Sequence, residues 1–388
     1  MNNQIKIAFI LDRAGQYNTP LLKKISQSSK FKLKVYFCSK IGYEKNYNKD
    51  FKETIKWDNT NLDGLDYHFL FNLLDKFESY FNPGIILKLK KHKFDYVIVH
   101  GYNSLTSLIS IIFGKFFGSK IILRGETFPK EINNPKQKIK YFYLFRLIKY
   151  IDYFLYIGMK SKEFYNKQLK ISNEKLIFHP YCVDNEKLNL FYMENRHKKN
   201  LLKNKLKLKN KFIFLYAAKF IKRKNPYELI DTFAKFKENQ EIHLIMIGNG
   251  SEFIKCKNYL IKKNIKNVSL LGFKNQNELF KFYLIADVFV LPSSNEPWGL
   301  VVNEAMCFGL PIIASKDVLS HHDLINDGQN GLIFENKNFE SLKEKLQIFI
   351  SNKDLSKSMG EESLSIISKW NYDVCVNELV KVLQKNKI

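Results

Sequence analysis

Arginine is scarce in this chain. Of its 63 basic residues only Arg13, Arg124, Arg146, Arg196 and Arg223 are arginine, and the rest are lysine. The formal net charge of +25 therefore does not indicate a reader of base sequence, because such proteins rely on the planar fork of arginine. A basic nucleic-acid-binding protein remains only as a remote alternative, one that predicts steeply salt-dependent binding. Cysteine is also sparse. Cys38, Cys182, Cys256, Cys307 and Cys375 show no C-x-x-C spacing, which argues against a disulfide framework or a zinc site and for free, buried thiols in a reducing compartment. Long apolar runs are missing too. The longest, Leu105–Leu123, is broken by Lys115 and by Gly and Ser residues, and falls short of the roughly 20 apolar residues of a spanning helix. Met1–Gln4 is polar, and Ile5–Leu11 is too short and strand-like for a secretory segment. A cytoplasmic chain is expected, soluble or peripheral on the inner face of the cell membrane.

What is present is a globular composition: 388 residues, 45% hydrophobic and 26% charged, enough for two domains at about 100–200 residues each. The positive excess is uneven. Residues 1–200 hold 35 basic and 18 acidic side chains, against 28 and 20 in the remainder. Two stretches of the first half, Ile85–Lys93 and Gln137–Tyr156, mix lysine with bulky apolar residues. Such segments can lie on an anionic membrane surface with their lysines reaching head groups. A helix packed on its own sheet with a solvated basic face explains them as well.

Short apolar runs rich in β-branched residues alternate with helix-length amphipathic segments. Strands are predicted at Ile5–Leu11, Lys32–Phe37, Tyr96–His100, Lys120–Leu123 and Tyr153–Tyr156. A second series falls at Phe212–Ala217, His243–Ile247, Val268–Leu270, Val288–Leu291, Pro311–Ala314 and Gly331–Phe334. Nearly continuous apolar strands alternating with helices imply α/β architecture with parallel sheets covered on both faces. The predicted organisation is an N-terminal Rossmann-like domain over 1–192, a polar linker over 193–210 and a C-terminal Rossmann-like domain over 211–368. A final helix over 369–388 is expected to pack back toward the N-terminal domain. Ligands of such doubly wound folds bind at the carboxyl ends of the strands, here in an expected interdomain cleft.

The second half carries the chemistry. Val288–Gly309 reads VFVLPSSNEPWGLVVNEAMCFG: a buried strand, a polar turn with two prolines, and a helix opened by Gly299. The N–H groups of Gly299, Leu300 and Val301 at that helix start suit an anion. Glu296 precedes the helix and Glu304 lies inside it, and ionised carboxylates accept from paired hydroxyls of a sugar or ribose. As a bare spacing Glu-x7-Glu is weak, and a capping carboxylate plus a surface helix residue would also produce it. Lys219 follows a strand and Lys224 ends a short basic loop in FIFLYAAKFIKRKNP. Two ammonium groups there suit a diphosphate, although a solvated lysine loop is the simpler reading of that segment alone. Gly248-Asn249-Gly250 follows the next strand and could bring backbone near a ligand or be a plain turn.

Together these pieces resemble the retaining glycosyltransferases of family 4 (glycosyl transferases group 1), whose GT-B architecture pairs two facing Rossmann-like domains. The resemblance rests on AAKFIKRKNP, MIGNGSE, LLGF, LPSSNEPWGLVVNEAMCFGLPIIAS and INDGQNGLIF, in order over about residues 210–335. In the first half FLYIGMKSKEFY, IFHPYCVDN and the HGY and RGET turns look like a branch acting on surface polysaccharides. The resemblance implies that Glu296 contacts donor-sugar hydroxyls and Glu304 the ribose. It implies that Lys219 and Lys224, with the backbone of Gly299–Val301, neutralise the departing diphosphate, the largest kind of catalytic contribution. Gly248 and Asn249 would border the donor, Leu271, Gly272 and Phe273 the base, and Gly15 the donor phosphates, although a simple turn explains Gly15 equally. Three departures stand out. Lys219 replaces a usual arginine, Asn225 replaces a glycine, and Leu123-Arg124-Gly125-Glu126 lacks a usual histidine. On the acceptor side His100, Arg124 and Glu126 are the candidates, Glu126 alternatively as an ion-pair partner of Arg124 or a lysine.

The expected activity is hexosyl or N-acetylhexosaminyl transfer, with retention, from a nucleotide-diphosphate sugar to a lipid-linked or lipopolysaccharide or capsule oligosaccharide. No D-x-D pair sits where a metal would bridge the diphosphate, so neither a metal nor another cofactor is expected. A nucleotide-sugar epimerase or hydrolase on the same fold is the alternative. The expected partners are the nucleotide sugar, the saccharide acceptor and an anionic membrane surface, with no nucleic acid.

Overall fold

A computed structural model of the chain describes residues 4–48, 51, 53–74, 80–128 and 135–385. Its strands, numbered along the chain, are β1 (Ile5–Arg13), β2 (Phe31–Ser39), β3 (Asn46–Asn48), β4 (Glu53–Ile55), β5 (Tyr67–Phe69), β6 (Tyr96–His100), β7 (Lys120–Arg124), β8 (Tyr153–Tyr156) and β9 (Leu176–Phe178). They continue as β10 (Phe212–Ala217), β11 (Ile242–Ile247), β12 (Val268–Leu270), β13 (Val288–Leu291), β14 (Ile312–Ser315) and β15 (Gly331–Phe334). The chain divides into two compact units. One comprises Met1–Lys45, Asn59–Tyr181 and Tyr372–Ile388, the other Asn46–Asp58 and Cys182–Asn371.

In the first unit the described strands form a parallel sheet in the order β5-β2-β1-β6-β7-β8-β9. Its central strands lose their side chains to the interior on both faces: Val97, Ile98, Val99, Ile121, Ile122 and Leu123 are all fully buried. Double burial is why these strands read as continuous apolar runs rather than alternating ones. The apolar stretch from Leu105 resolves into the helix Leu105–Phe116, capped by Ser104 Oγ accepting from Ser107 N at 3.1 Å, and then β7. Among the described residues no helix is long and apolar enough to cross a membrane. The helix Tyr372–Lys385 closes this unit, with Tyr372 Oη donating to Tyr17 O at 3.1 Å and Tyr96 Oη to Leu383 O at 3.3 Å.

The second unit is a parallel sheet in the order β12-β11-β10-β13-β14-β15. A core of Phe214, Tyr216, Phe220, Phe233, Leu244, Met246 and Val290 lies under its helices. In each sheet the strand order reverses beside the first strand, between β1 and β6 and between β10 and β13. Those are the points where open α/β sheets leave a crevice at the carboxyl ends.

Two expectations about organisation are corrected. The stretch 193–210 is not a free linker but mostly helical, with helices Asn185–Asn195 and Lys199–Lys205 belonging to the second unit. Lys199 and Lys203 each reach Asp287 at 2.8 Å, and Lys203 also donates to Lys211 O at 3.0 Å. The lysines that made the stretch look solvated are what fasten it. The second correction concerns 46–58, expected in the first domain. There β3 and β4 form an antiparallel hairpin that belongs to the second unit. Phe51 and Trp57 pack on Phe273 with ring centroids 4.9 and 5.8 Å away, and Asn275 Nδ2 donates to Lys56 O at 3.0 Å.

Candidate active site

In the second unit the predicted donor residues all leave the carboxyl ends of β10, β11, β12 and β13. Backbone bonds tie the first three strand ends together. Gly248 N donates to Gly272 O at 2.9 Å, Phe220 N to Asn249 O at 2.9 Å and Leu271 N to Met246 O at 3.0 Å. Gly248 is obligatory here: its φ is 134°, and a Cβ would stand 1.9 Å from Ala218 O. Gly272 has φ of 70° with open space beside it, so the backbone angle alone selects glycine. Lys219, half-buried at the end of β10, places its ammonium 5.4 Å from the Phe51 ring centroid. Asn249 bonds Glu53 of the hairpin.

The loop after β10 is stitched to the turn after β13. Asn225 Nδ2 donates to Pro292 O at 2.7 Å and Ser294 N to Arg223 O at 2.7 Å. Asn225 has φ 50° and ψ 43°. That is the left-handed conformation which asparagine tolerates best after glycine, and it accounts for asparagine at this position. The loop thereby delivers Lys224 and Arg223 to Glu296. Lys224 Nζ bonds Glu296 Oε2, and Arg223 Nη1 reaches the same oxygen at 3.0 Å. Lys224 and Glu296 are each only 7% exposed. Burial pushes the Lys224 ammonium below its ordinary pKa, while the Glu296 carboxylate pulls the other way. Lys224 is thus a paired cation, not the solvated point charge that its loop suggested. Arg223 and Lys224 thus share one carboxylate, and the charge of Lys219 acts on Lys224.

Gly299, at φ 84°, turns the chain into the helix Leu300–Cys307, and a Cβ there would come within 3.0 Å of Leu291 Cδ2 and 3.3 Å of Glu296 Cγ. The glycine lets the helix start, with Leu300 and Val301 in its first turn, close against Glu296. Trp298 Nε1 donates to Asn303 Oδ1 at 2.9 Å and fixes the turn from behind. Glu304 points away from solvent. Its carboxylate is buried and accepts from Gln276 Nε2 at 2.5 Å and Tyr283 Oη at 2.8 Å. It is therefore not a surface helix residue.

In the first unit His100 ends β6, Arg124 ends β7, and the two are register partners. Arg124 Nη1 lies 3.1 Å from both His100 Nδ1 and Asn18 Oδ1. Because arginine only donates, Nδ1 is the acceptor and the imidazole proton sits on Nε2. Loss of water, then Arg124, then His179 push the His100 pKa down to about 3. Glu126 is exposed, and Tyr181 Oη donates to it. Among the described residues it makes no ion pair with Arg124, and Lys130, the neighbouring lysine, lies outside the described residues. Gly15 needs no glycine on steric grounds: a Cβ would meet only Asn18 Nδ2, at 3.9 Å. Sequence reasoning missed Arg223, His179 and Tyr181. Arg223 could have been found from its place beside Lys224, whereas His179 and Tyr181 enter only through the fold.

Two parallel, doubly wound α/β sheets with charged groups at their strand ends define a fold of the GT-B type. The Anabaena protein HepE, solved with UDP and glucose, superposes with a TM-score of 0.75 at 15% identity, covering 98% of this chain and all of that one. Residues 198–365 match the family model described as glycosyl transferases group 1, and this segment is a domain of that family. An uncharacterized glycosyltransferase of Methanocaldococcus jannaschii is 31% identical over 44% of this chain and 47% of its own. The Escherichia coli UDP-Gal:alpha-D-GlcNAc-diphosphoundecaprenol alpha-1,3-galactosyltransferase is 27% identical over 77% of this chain and 75% of its own. The chain spans about half the length of the first curated relatives it matches.

Proposed function

We propose that the protein is a retaining, metal-independent glycosyltransferase. It would move a hexose or N-acetylhexosamine from a nucleotide-diphosphate sugar to a lipid-linked or lipopolysaccharide or capsule oligosaccharide at the cytoplasmic membrane face. The observation that carries this reading is the Arg223–Lys224–Glu296 cluster with Lys219, set against a helix start within a group 1 domain. Lys219 and Arg223, at the rim, neutralise the diphosphate, and the N–H groups at the start of Leu300–Cys307 add to that field. Glu296, held by Lys224, accepts from donor-sugar hydroxyls. Glu304, clamped by Gln276 and Tyr283, sets the far end of the donor. The acceptor hydroxyl attacks the anomeric carbon from the face the diphosphate leaves. The carbon–oxygen bond to phosphate breaks, and the departing phosphate oxygen takes the hydroxyl proton.

Relatives support the substrate classes: HepE was solved with UDP and glucose, and the E. coli relative is described as acting on a diphosphoundecaprenol acceptor. Support for an anionic membrane surface comes from the helix Pro135–Leu147, where the side chains of 136, 137, 140 and 141 lie outside the described set. Ile139, Phe142, Tyr143 and Phe145 are exposed on it while Leu144 and Leu147 are buried. Exposed aromatic rings among lysines suit an interfacial seat.

The test is a thermal-shift panel of UDP, GDP, ADP and CMP with and without EDTA, followed by incubation with the matching sugars. Saturating nucleotide at 100 times its dissociation constant stabilises by about 2.7 kcal/mol. One nucleotide should stabilise regardless of EDTA, and Lys219→Ala should weaken it about tenfold or more. Donor consumed without a transfer product would instead favour the epimerase or hydrolase, and no response to any nucleotide would sink the donor site.

A further inference from the structure

The first unit buries a cation that no carboxylate among the described residues pairs with. Arg124 is 2% exposed at the end of β7, yet among the described residues it forms no ion pair. Its Nη1 bonds are to neutral acceptors, Asn18 Oδ1 and His100 Nδ1, and its Nε is buried with no acceptor. The Tyr181 ring faces the guanidinium at 5.5 Å, a contact too weak to offset a buried unpaired charge. Glu126 is the carboxylate nearest in sequence, but it is exposed and engaged by Tyr181 Oη.

A second observation points the same way. His179, next to β9, is 0% exposed, and neither ring nitrogen has a hydrogen-bond partner. Buried polar groups in folded proteins are almost always paired, so two orphaned nitrogens on one ring need a reason. Arg124 and His179 both act on the His100 imidazole, so the three side chains share one locale, in which Arg124 and His100 are hydrogen-bonded register partners at adjacent strand ends. In the sequence beside Asn18, Gln16 Oε1 and Thr19 Oγ1 are likewise buried without partners. The locale lies at the carboxyl ends of β1, β6 and β7, where the strand order reverses.

We infer that Arg124, His100 and His179 form an oxyanion-binding site that takes a phosphate or carboxylate group of the acceptor. That identity of the ligand rests on the glycosyltransferase reading, whereas the anion site itself does not. The edge of guanidinium that contains Nε grips such oxyanions through two parallel N–H groups. His100, protonated on Nε2, adds a neutral donor, and the ring of His179, which has an N–H in any protonation state, offers another. The segment Gly15–Asn18, which supplies Asn18 to Arg124, is itself only half-buried. Such a site selects an acceptor that carries a negative charge.

The experiment is calorimetric titration with inorganic phosphate, and separately with malonate, on full-length protein whose second-unit site is saturated with the nucleotide found to bind. Phosphate stronger than malonate assigns a phosphate source, and the reverse assigns a carboxylate. Arg124→Met and His179→Phe should each weaken the stronger anion about tenfold or more. In anion-free buffer Arg124→Met should melt no lower than wild type, because it removes an unpaired buried charge, an outcome a structural arginine would not give. Should Arg124→Met fail to fold, Arg124→Lys, which keeps the charge and loses the fork, and His179→Phe carry the test. No binding of either anion, or binding that both variants leave unchanged, overturns the site. If no nucleotide binds but the anion response depends on Arg124, the anion site stands and the glycosyltransferase reading falls.

Discussion

Replacing Glu296 by glutamine tests whether the second unit's charge cluster is built as described. The substitution keeps shape and removes one charge from a pair in which both side chains are 9% exposed. Lys224 then sits buried without its carboxylate, and the adjacent Arg223 only adds repulsion. Breaking a buried pair from one side costs about 3–5 kcal/mol, which for a unit of roughly 200 residues is about 10 °C in melting temperature. Arg223, whose side chain is 44% exposed, adds little because water screens it. The loss has a pH signature. Lys224 is held below its ordinary 10.5 by burial, so the unfolded chain binds more protons than the folded one between the folded pKa and 10.5. Stability in that window rises with pH. Without Glu296 the folded pKa falls further, the window widens downward, and the variant should regain stability on alkalinisation more steeply than wild type. The double variant Glu296→Gln, Lys224→Met should recover part of the loss, giving a coupling energy toward the upper end of about 0.5–3 kcal/mol. Urea unfolding of the four proteins from pH 7 to 10 measures all of this. A Glu296→Gln loss below about 1 kcal/mol, flat with pH, would refute the reasoning.

Three further outcomes follow from the same geometry. Gly248→Ala places Cβ 1.9 Å from Ala218 O and should cost well over 3 kcal/mol or prevent folding. Gly272→Ala, in open space at φ 70°, should cost only about 1 kcal/mol, and parallel denaturation curves distinguish them. His100, depressed from 6.5 to about 3, stays neutral when folded while the unfolded chain protonates below 6.5. Wild type should therefore lose stability as pH falls from 6.5 toward 3, and His100→Asn should flatten that slope. Phe142→Ser with Tyr143→Ser, removing rings 58% and 68% exposed, should weaken sedimentation with anionic vesicles at least about tenfold and leave nucleotide binding intact. Unchanged vesicle binding would remove the membrane from the proposal.

Local order was legible wherever one residue type had one physical use. Continuous apolar runs such as Tyr96–His100 and Phe212–Ala217 became strands at those bounds, because a strand buried on both faces admits nothing else. Gly299 was readable as a helix opener and Gly248 as a turn, and both have a positive φ that a side chain would strain. The sequence placed Lys219 and Gly248 just after strands, Lys224 at the end of a basic loop and Glu296 just before a helix. It could not say which charge meets which. That Lys224 pairs with Glu296, that Lys199 and Lys203 meet Asp287, and that Phe51 packs edge-on against Phe273 are contacts across tens to hundreds of residues. No local periodicity encodes them. A lysine in a polar stretch looks the same whether it is solvated or buried on an aspartate 84 positions away. His179 lay in a fragment that carried only family resemblance, and its burial beside Arg124's neighbourhood was decided by the sheet order. Chemistry type and strand position were set by the sequence itself. The partner of each charge was set by tertiary packing, because pairing energy depends on distance and dielectric, and neither exists until the sheets are assembled.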